Sequence, residues 1–411
     1  MQALVYRKSI PRYLLMRAAS KRIKTLETGR FSPLQLEEIQ EPALPTPEWV
    51  RVKPLLSGIC GSDLGTLSAE NSAYFSPIIS PPFVMGHEIC GEVAEDNSSF
   101  ETGERVVVIP ALGCEVRGID PPCPYCASGR YALCLNVAKG DISPGIQTGF
   151  CHDTGGGWSR GTLVAHPSQL HRVPDAVPDE AAVAVEPLAC AVHAALKSAP
   201  TPDDTSLVIG AGSVGLFTVA VLRHLTEAGR IICVAKHGRQ REEALRLGAD
   251  EVVHPKDTYT TLPKMLGTEA YKPELGKPVV MGGADRVYEC VGASGTMEDA
   301  ARLARPGGEA TLVGMPAAKS SLDLTALWYK EIRLGGSYAY GVEEYKGETT
   351  SSFALALRLA SEIGLEKMVG PRFRLEEYGK AIAAARSAGR EGNVKVVFDH
   401  RAISHQRSAV S

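Results

Sequence analysis

The pattern of apolar and polar positions divides the chain into three regions. Residues 1–187 contain short alternating or apolar runs, such as "EWVRVKPLLSGIC", "ERVVVIP" and "GTLVAHPSQLHRVP", separated by Pro and Gly. Runs of this kind are typical of antiparallel strands bounded by turns. They predict an irregular, mostly β domain.

The pattern changes at about residue 188. Up to residue 336, short buried strands such as "TSLVIGAG", "RIICVAK" and "ADRVYECVG" alternate with helical stretches. That alternation predicts a doubly wound parallel sheet covered by helices. The pattern of residues 337–411 predicts two helices, "TSSFALALRLASEIG" and "LEEYGKAIAAARSAG", followed by a closing strand, "NVKVVFD". The final residues, "HRAISHQRSAVS", are polar, and we expect them to form a frayed tail.

A glycine-rich turn joins the first strand of the second region to its helix. In "VIGAGSVGL", Gly210, Gly212 and Gly215 form G-x-G-x-x-G between a strand and a helix. The first glycine permits the tight turn, the second lets the backbone approach a pyrophosphate, and the third allows close packing of helix and strand. We therefore predict a dinucleotide site here, with Ser213 and Val214 also in the phosphate-binding turn.

The end of the next strand indicates which dinucleotide binds. An acidic residue there would accept hydrogen bonds from the ribose of NAD, but the chain has Ala235. Four cationic or ionisable residues follow instead, and they suit the 2′-phosphate of NADP. These residues are Lys236, His237, Arg239 and Arg241. The alternative is a solvated helix start; we predict that NADP is preferred.

Composition narrows the class of protein. The 411 residues carry a net charge of −3 and 44% hydrophobic residues, and no apolar run reaches the roughly 20 residues that span a bilayer. This charge provides no field for a nucleic-acid backbone or an anionic lipid, so we expect neither partner. Without a recognisable export segment, we expect a cytoplasmic protein. The exception is a cationic segment, "RKSIPRYLLMRAASKRIKTLETGRFS", to which the sequence assigns no role.

Three separated motifs carry possible metal ligands: "SGICGSDL", "VMGHEICGEV" and "AVEPLAC". They contribute Cys60, His87 and Glu186 respectively. A catalytic zinc needs about three protein ligands and an open fourth position, which a thiolate, an imidazole and a carboxylate from separate segments can provide. Each residue alone would have an ordinary structural explanation.

Together, these motifs resemble the zinc-dependent medium-chain alcohol dehydrogenases, and more closely their polyol, glucose and threonine dehydrogenase branches. The resemblance runs from "LQLEEIQEPALP" through "GICGSD", "GHE", "VEPLAC", "GAGSVG" and "RPGGEATLVGM" to the last strand. It implies a GroES-like, mostly β catalytic domain over 1–187, a Rossmann domain over 188–336, and a return to the catalytic domain over 337–411.

The resemblance also implies roles for individual residues. Cys60, His87 and Glu186 would bind the catalytic zinc, and Glu88 would approach the metal during ligand exchange. Asp63 would fix the His87 tautomer, and Ser62 would pass the substrate proton outward. The histidine that often ends this proton relay is replaced by Gly65. By family position, Val291 and Val313 would lie near the nicotinamide ring.

A cysteine-rich stretch, "DPPCPYCASGRYALC", predicts a second metal site. By resemblance, four thiolates hold a structural zinc in a lobe at residues 114–134. Cys123, Cys126 and Cys134 keep three positions, and Asp120 stands where the first cysteine would be, with Cys114 as the rival fourth ligand. Such a closed four-ligand site stabilises the fold and performs no chemistry.

The predicted function is zinc-dependent hydride transfer between NADP(H) and a secondary alcohol, polyol, sugar or amino alcohol. One alternative is a catalytically silent NADPH-binding protein of the same fold; a zinc-knuckle nucleic-acid module and a zinc-free quinone reductase fit the charge and the ligand set less well. The family also implies a homodimer or homotetramer, for which "GEATLVGM" is a candidate edge strand. The sequence does not identify the substrate.

Overall fold

A computed structural model describes residues 1–20, 23–315 and 320–401. The chain forms two compact units. The first unit comprises residues 1–186, 344–388 and 395–411, and the second comprises residues 187–343 and 389–394. The second unit is therefore larger than the predicted range 188–336. Its segment 389–394 packs on the start of a helix of the same unit, where a Cβ on Gly389 would lie 2.7 Å from Gln240 Nε2.

The strands of the described residues are, in chain order, β1 (Gln2–Tyr6), β2 (Leu34–Glu38), β3 (Val50–Gly58), β4 (Phe83–Val84), β5 (Ile89–Val93), β6 (Arg105–Val108), β7 (Leu163–Ala165), β8 (Leu170–Arg172), β9 (Thr205–Ile209), β10 (Arg230–Val234), β11 (Glu251–Val253), β12 (Ala270–Tyr271), β13 (Val279–Val280), β14 (Ala284–Glu289), β15 (Ala304–Leu312), β16 (Arg333–Gly336), β17 (Val342–Tyr345), β18 (Glu348–Ser351), β19 (Val369–Phe373) and β20 (Lys395–Asp399).

The α-helices of the same residues are α1 (Ile10–Ala19), α2 (Gly61–Leu67), α3 (Pro124–Ala127), α4 (Asp179–Ala182), α5 (Val185–Lys197), α6 (Ser213–Leu225), α7 (Gly238–Arg246), α8 (Thr258–Met265), α9 (Ser294–Leu303), α10 (Thr325–Tyr329), α11 (Ser352–Glu362) and α12 (Tyr378–Glu391). None of these described helices has the length and apolar character that crossing a membrane requires.

The first unit is built on a seven-stranded sheet in the order β19-β20-β3-β5-β6-β8, with β7 also paired to β3. The pairings of β3 with β20, β5 and β7 are antiparallel. A separate antiparallel sheet has the order β2-β1-β4. Strand β3 buries most of its residues, which is why its apolar run reads as a core strand. Its carboxyl end leads directly to Cys60.

The second unit contains one six-stranded sheet in the order β11-β10-β9-β14-β15-β16, with all neighbouring pairs parallel. The strand order reverses direction between β9 and β14, which creates the crevice at which open α/β sheets bind nucleotides. The residues of "GEATLVGM" that form strand lie in β15, between β14 and β16. The expectation that this segment is an edge strand is therefore wrong; β16 is the edge.

The predicted frayed tail lies mostly outside the described residues. Its first two residues, His400 and Arg401, are described and are held in the first unit. His400 is buried and its Nε2 lies 2.9 Å from Ser57 Oγ. Arg401 forms ion pairs with Asp179, Glu180 and Asp399. Fraying therefore does not begin at residue 400.

Candidate metal and cofactor sites

Cys60 lies where β3 gives way to α2. It is the N-cap residue of α2, and the Asp63 side chain reaches back to accept the Cys60 N–H at 2.9 Å. This capping-box arrangement fixes the first turn of the helix. It places the Cys60 thiol just after the end of a buried strand.

His87 and Glu88 lie in the connection between β4 and β5, and both are buried. Gly86, the residue before them, has a φ of +94°, and a Cβ there would lie 2.3 Å from Trp158 Cδ1. Only glycine fits this turn without strain. The turn brings one donor atom each of Cys60, His87 and Glu88 within 4.8 Å of one another.

The Asp63 carboxylate lies beside the His87 imidazole. Its second oxygen, Oδ1, lies 3.4 Å from His87 Nδ1, and Asp63 is fully buried. The other ring nitrogen, Nε2, then remains for a metal. Burial by itself lowers the pKa of His87, but the Asp63 carboxylate and the Cys60 side chain raise it well above the ordinary value.

Glu186 is placed differently from the predicted ligand set. It lies in the first turn of α5 and is 7% exposed, but its carboxylate is not part of the Cys60, His87 and Glu88 group. Burial raises its pKa to about 7; the His87 charge opposes that shift and the Glu88 charge adds to it. Of the two acidic residues, Glu88 is the one whose carboxylate lies within the group.

Lys395 is a residue of this site that the sequence analysis missed. It begins β20, is 2% exposed, and forms a buried ion pair with Glu88. Burial lowers the pKa of Lys395, but the Glu88 and Cys60 charges raise it overall. The signal was available: a single lysine precedes the buried run Val396, Val397 and Phe398, and lysine is almost never fully buried without a partner.

The donor set suits zinc. A thiol, an imidazole and carboxylates are the ligand types that zinc takes in catalytic sites. The Ser62 hydroxyl, two residues after Cys60 on α2, is buried and makes no hydrogen bond within the described residues. Since buried polar atoms normally have a partner, this hydroxyl fits a group that meets a substrate oxygen.

The space beside Gly65 is filled by Asn71. A Cβ on Gly65 would lie 2.4 Å from Asn71 Oδ1. The Asn71 amide is held there because its Nδ2 donates to Thr66 Oγ1 at 2.8 Å and to the Ser62 carbonyl at 3.3 Å. A histidine at position 65 would therefore have to displace the Asn71 carboxamide from these two hydrogen bonds.

The second cysteine group bears on which residue is the fourth in the lobe. The thiols of Cys114, Cys123, Cys126 and Cys134 lie within 4.8 Å of one another. Asp120 is exposed and outside this group, so the structure contradicts its placement as the fourth ligand. The short helix at Glu115–Arg117 and a left-handed Gly118 turn the chain back, which leaves Cys114 facing the other three thiols.

N–H groups point at these sulfur atoms, as they do around thiolates. The Cys123 N–H and the Asn136 Nδ2 group each donate to Cys114 Sγ at 3.3 Å. Burial raises the pKa of Cys123, but backbone N–H groups, including that of Leu135, lower it to about 6. Four thiols in a closed group fit a structural zinc and leave no position for a substrate.

In the second unit, the glycine turn has the geometry that the motif predicts. Gly210 has a φ of +99°, and a Cβ on Gly215 would lie 1.9 Å from the Gly210 carbonyl oxygen. A Cβ on Gly212 would meet nothing within 4 Å, so the backbone is open on that side. Helix α6 begins at Ser213, with Val214 in its first turn, and directs its free N–H groups to this space.

Val291 and Val313 both lie close to this turn. A Cβ on Gly210 would be 2.4 Å from Val291 Cγ2. The Val313 N–H donates to the Glu289 carbonyl at 2.8 Å, at the carboxyl end of β14. The structure thus brings both residues to the sheet edge that carries Gly210.

The cationic residues after β10 differ in whether an acidic side chain already contacts them. Ala235 is buried and Lys236 is exposed. Arg239 is already engaged, since its Nη2 lies 2.6 Å from Glu243 Oε1. His237 caps α7 and is half-buried. Lys236 is thus exposed directly after β10, whereas Arg239 is held by Glu243.

Two family models match the chain. The model described as "Alcohol dehydrogenase GroES-like domain" matches residues 46–175, and "Zinc-binding dehydrogenase" matches residues 213–354. Together they account for well over half of the sequence and include Cys60, His87 and the four lobe cysteines. The chain belongs to the zinc-dependent medium-chain alcohol dehydrogenase family. The predicted combination of a GroES-like domain with a Rossmann domain is confirmed, and the protein is an oxidoreductase that acts on CH–OH donors.

Relatives of known activity lie in the polyol branch of this family. A sorbitol dehydrogenase from Arabidopsis thaliana is 29% identical over 368 residues, covering 88% of this chain and 92% of the relative. An L-idonate 5-dehydrogenase from Vitis vinifera is 28% identical over 370 residues, covering 88% and 91%.

Solved structures agree on the fold. A 2R,3R-butanediol dehydrogenase from Bacillus subtilis superposes with a TM-score of 0.70 at 22% identity, covering 97% of this chain and 99% of the other. A zinc-binding dehydrogenase from Sinorhizobium meliloti 1021, solved bound to NADP, gives a TM-score of 0.66 at 26% identity, covering 89% and 96%.

Proposed function

We propose that this family member oxidises a secondary alcohol or polyol, and reduces the corresponding ketone, with NADP(H) as its preferred cofactor. The observation that carries the proposal is the buried group of Cys60, His87 and Glu88 beside an unpartnered Ser62 hydroxyl. Of the predicted ligands, Cys60 and His87 lie in this group. We propose Glu186 as the third ligand, because its buried carboxyl feels the charges of His87 and Glu88, and Glu88 as the neighbouring acid. The polyol relatives and the branch resemblance support a substrate with a secondary hydroxyl.

Each residue of the group has a separate task. Cys60, His87 and Glu186 would hold zinc, which would supply a Lewis acid for the substrate oxygen, and the bound nicotinamide would supply the hydride acceptor. The Ser62 oxygen would accept the alcohol proton while its own hydroxyl proton passes onward, and Asp63 would keep the His87 ring in one tautomer. Lys395 holds the Glu88 carboxylate by its charge, which limits the negative charge around the reacting oxygen.

Proton exit from Ser62 needs a path other than a histidine at position 65. The space beside Gly65 is filled by the Asn71 carboxamide, which cannot itself change its protonation state. We therefore propose that water or the cofactor ribose carries the proton onward. This route predicts no ionisable relay group at position 65 in the pH profile.

The preference for NADP rests on the end of β10, where Ala235 offers no carboxylate to a ribose hydroxyl and Lys236 is exposed. The similarity to a dehydrogenase solved with NADP supports it. The pairing of Arg239 with Glu243 weakens the contribution of Arg239. We therefore assign Lys236 the larger part of the preference.

The test is a panel of alcohols and ketones assayed by nicotinamide absorbance, with NADP and NAD, on protein of known zinc content. We expect secondary alcohols or polyols to react, with a higher kcat/KM for NADP. Lys236→Ala should reduce that preference by about tenfold, because one charge-assisted phosphate contact is worth about 1.4 kcal/mol or more. Lys272→Ala, at another exposed position of the second unit, is the matched control.

Two results would contradict the proposal. A higher kcat/KM for NAD would overturn the cofactor assignment. A zinc-loaded protein that binds NADPH but converts no alcohol or ketone in the panel would indicate the catalytically silent alternative.

A further inference from the structure

Helix α1, in the cationic segment to which the sequence assigned no role, presents its apolar side to solvent. Its buried residue is Met16, whereas Ile10 is 68% exposed, Leu14 is 58% exposed and Leu15 is 39% exposed. Residues three, four and seven apart lie on one face of a helix, so Ile10, Leu14 and Arg17 share a face, and Leu15 is exposed beside it. Surface helices normally turn their apolar side chains toward the core, whereas α1 leaves the apolar side chains of Ile10, Leu14 and Leu15 exposed.

The helix is fixed to the first unit in this orientation. Arg12 Nη1 donates to the Ser32 carbonyl at 3.2 Å, and Ser20 Oγ donates to the Ser68 carbonyl at 3.2 Å. Met16 has no exposed surface. Rolling the leucines inward would expose Met16 and break these hydrogen bonds, so the apolar face stays outward.

The segment around α1 is strongly positive, although the whole chain has a net charge of −3. Residues 7–30 contain eight Lys or Arg residues and one acidic residue, Glu27. Glu27 is 1% exposed and lies 2.5 Å from Arg386 Nε, so its charge is neutralised inside the fold. Lys8 and Arg17, on the other hand, are exposed beside the apolar stripe.

The charge favours one kind of occupant. A second copy of the chain docked on the same face would bring two cationic segments together, which is unfavourable. A face that combines exposed leucine and isoleucine with surrounding cations has the character of helices that lie in the plane of an anionic membrane surface. Ten residues are too short to span a bilayer, but they suffice for such a position.

We propose that α1 and its flanking cations, residues 7–20, dock this enzyme on an anionic lipid surface. The leucine and isoleucine side chains enter the boundary between headgroups and acyl chains, and Lys8 and Arg17 contact the lipid phosphates. This revises the expectation of no membrane partner, which was based on the net charge of the whole chain. The net charge of the whole chain does not show the local excess of positive charge around α1.

The test is sedimentation of the full-length protein with vesicles of phosphatidylcholine alone, or with about one third phosphatidylglycerol. We expect partition onto the anionic vesicles to be about tenfold higher or more, since each cation near the surface contributes about 1 kcal/mol. Raising NaCl from about 0.1 M to about 0.5 M should reduce this partition several-fold, because salt screens exposed charges.

Variants distinguish lipid binding by the exposed face of α1 from the general effect of adding negative charge to the protein. Leu14→Glu/Leu15→Glu should lower partition onto anionic vesicles about tenfold, since it replaces both apolar contacts with negative charge. Leu275→Glu, at a leucine that is 91% exposed in the second unit, is the control and should leave partition unchanged. Arg17→Glu should lower partition, whereas Arg358→Glu, at another exposed arginine of the first unit, should not.

Three outcomes would overturn the proposal. Equal partition onto both kinds of vesicle would exclude a role for the charge, and no partition onto either would exclude lipid. A smaller oligomeric mass for Leu14→Glu/Leu15→Glu by light scattering would show that a second copy covers this face instead.

Discussion

The Asp63 carboxylate connects two of the candidate zinc ligands at once: Oδ1 lies 3.4 Å from His87 Nδ1, and Oδ2 accepts the Cys60 N–H at 2.9 Å. One buried side chain therefore caps the first turn of α2 and also lies beside the imidazole ring. Its removal should disturb the metal site more than the fold.

Asp63→Asn should lower the affinity of the catalytic site for zinc by about 10- to 100-fold, because an amide orients His87 less strongly than a carboxylate. Competition with a chromogenic chelator measures this directly. Asp96→Asn, at an exposed loop aspartate of the same unit, is the control. Unchanged zinc affinity in Asp63→Asn would show that His87 is oriented by other contacts.

Gly65→His should not create a working proton relay. A Cβ at this position would lie 2.4 Å from Asn71 Oδ1, so the substitution should destabilise the protein by about 1–3 kcal/mol through overpacking. The double variant Gly65→His/Asn71→Gly makes room for the ring and should recover much of this loss. Urea denaturation measures both effects.

The same double variant should add an ionisation near pH 6.5, the ordinary histidine value, to the pH profile of kcat/KM. The wild type should lack this ionisation. If Gly65→His alone were as stable as the wild type, the Asn71 side chain would not fill the space as described.

Cys114→Ser should remove the second zinc, and Asp120→Asn should retain it. The zinc content should fall from about two to about one per chain in Cys114→Ser, because a closed structural site needs all four ligands. Elemental analysis after exhaustive dialysis distinguishes the variants. Loss of zinc in Asp120→Asn, with retention in Cys114→Ser, would restore the aspartate as the ligand.

The sequence predicted much of this architecture because the relevant signals are local. The alternation of strands and helices predicts the parallel sheet, and the spacing of Gly210, Gly212 and Gly215 predicts the phosphate turn. Cys123, Cys126 and Cys134 predict the lobe by the same kind of short-range spacing.

What the sequence did not reveal depends on contacts between distant segments. Lys395 meets Glu88 across 307 positions of the chain. A lysine beside an apolar run signals a buried partner, but no local pattern indicates which residue that partner is. The position of Cys114 beside the other thiols depends on how the chain folds back between Cys114 and Cys123. Spacing along the sequence alone favoured Asp120 as the fourth ligand. The outward apolar face of α1 became visible only once Met16 was known to point inward.

Acid should destabilise the first unit partly through His400. Burial lowers the pKa of this histidine from 6.5 to about 4. As the pH falls below 6.5, the unfolded chain takes up a proton that the folded chain does not, so stability is lost between about pH 6.5 and pH 4. At about pH 5 this amounts to about 2 kcal/mol.

His400→Gln should reduce the loss of unfolding free energy between about pH 7.5 and pH 5 by roughly that 2 kcal/mol, measured by urea denaturation. His152→Gln replaces a histidine with an exposed side-chain hydrogen bond and is the control. Equal acid sensitivity in the wild type and His400→Gln would show that His400 is not held neutral.

The catalytic role of the Cys60 group is the central claim, and the zinc content and turnover of Cys60→Ser test it most directly. The account predicts that this variant loses about one zinc per chain and all measurable alcohol oxidation, since the remaining donors no longer supply the thiolate that the site requires. NADPH binding, measured by fluorescence titration, should be unchanged. Cys60→Ser protein that keeps its full zinc content and its turnover would contradict the assignment of this site.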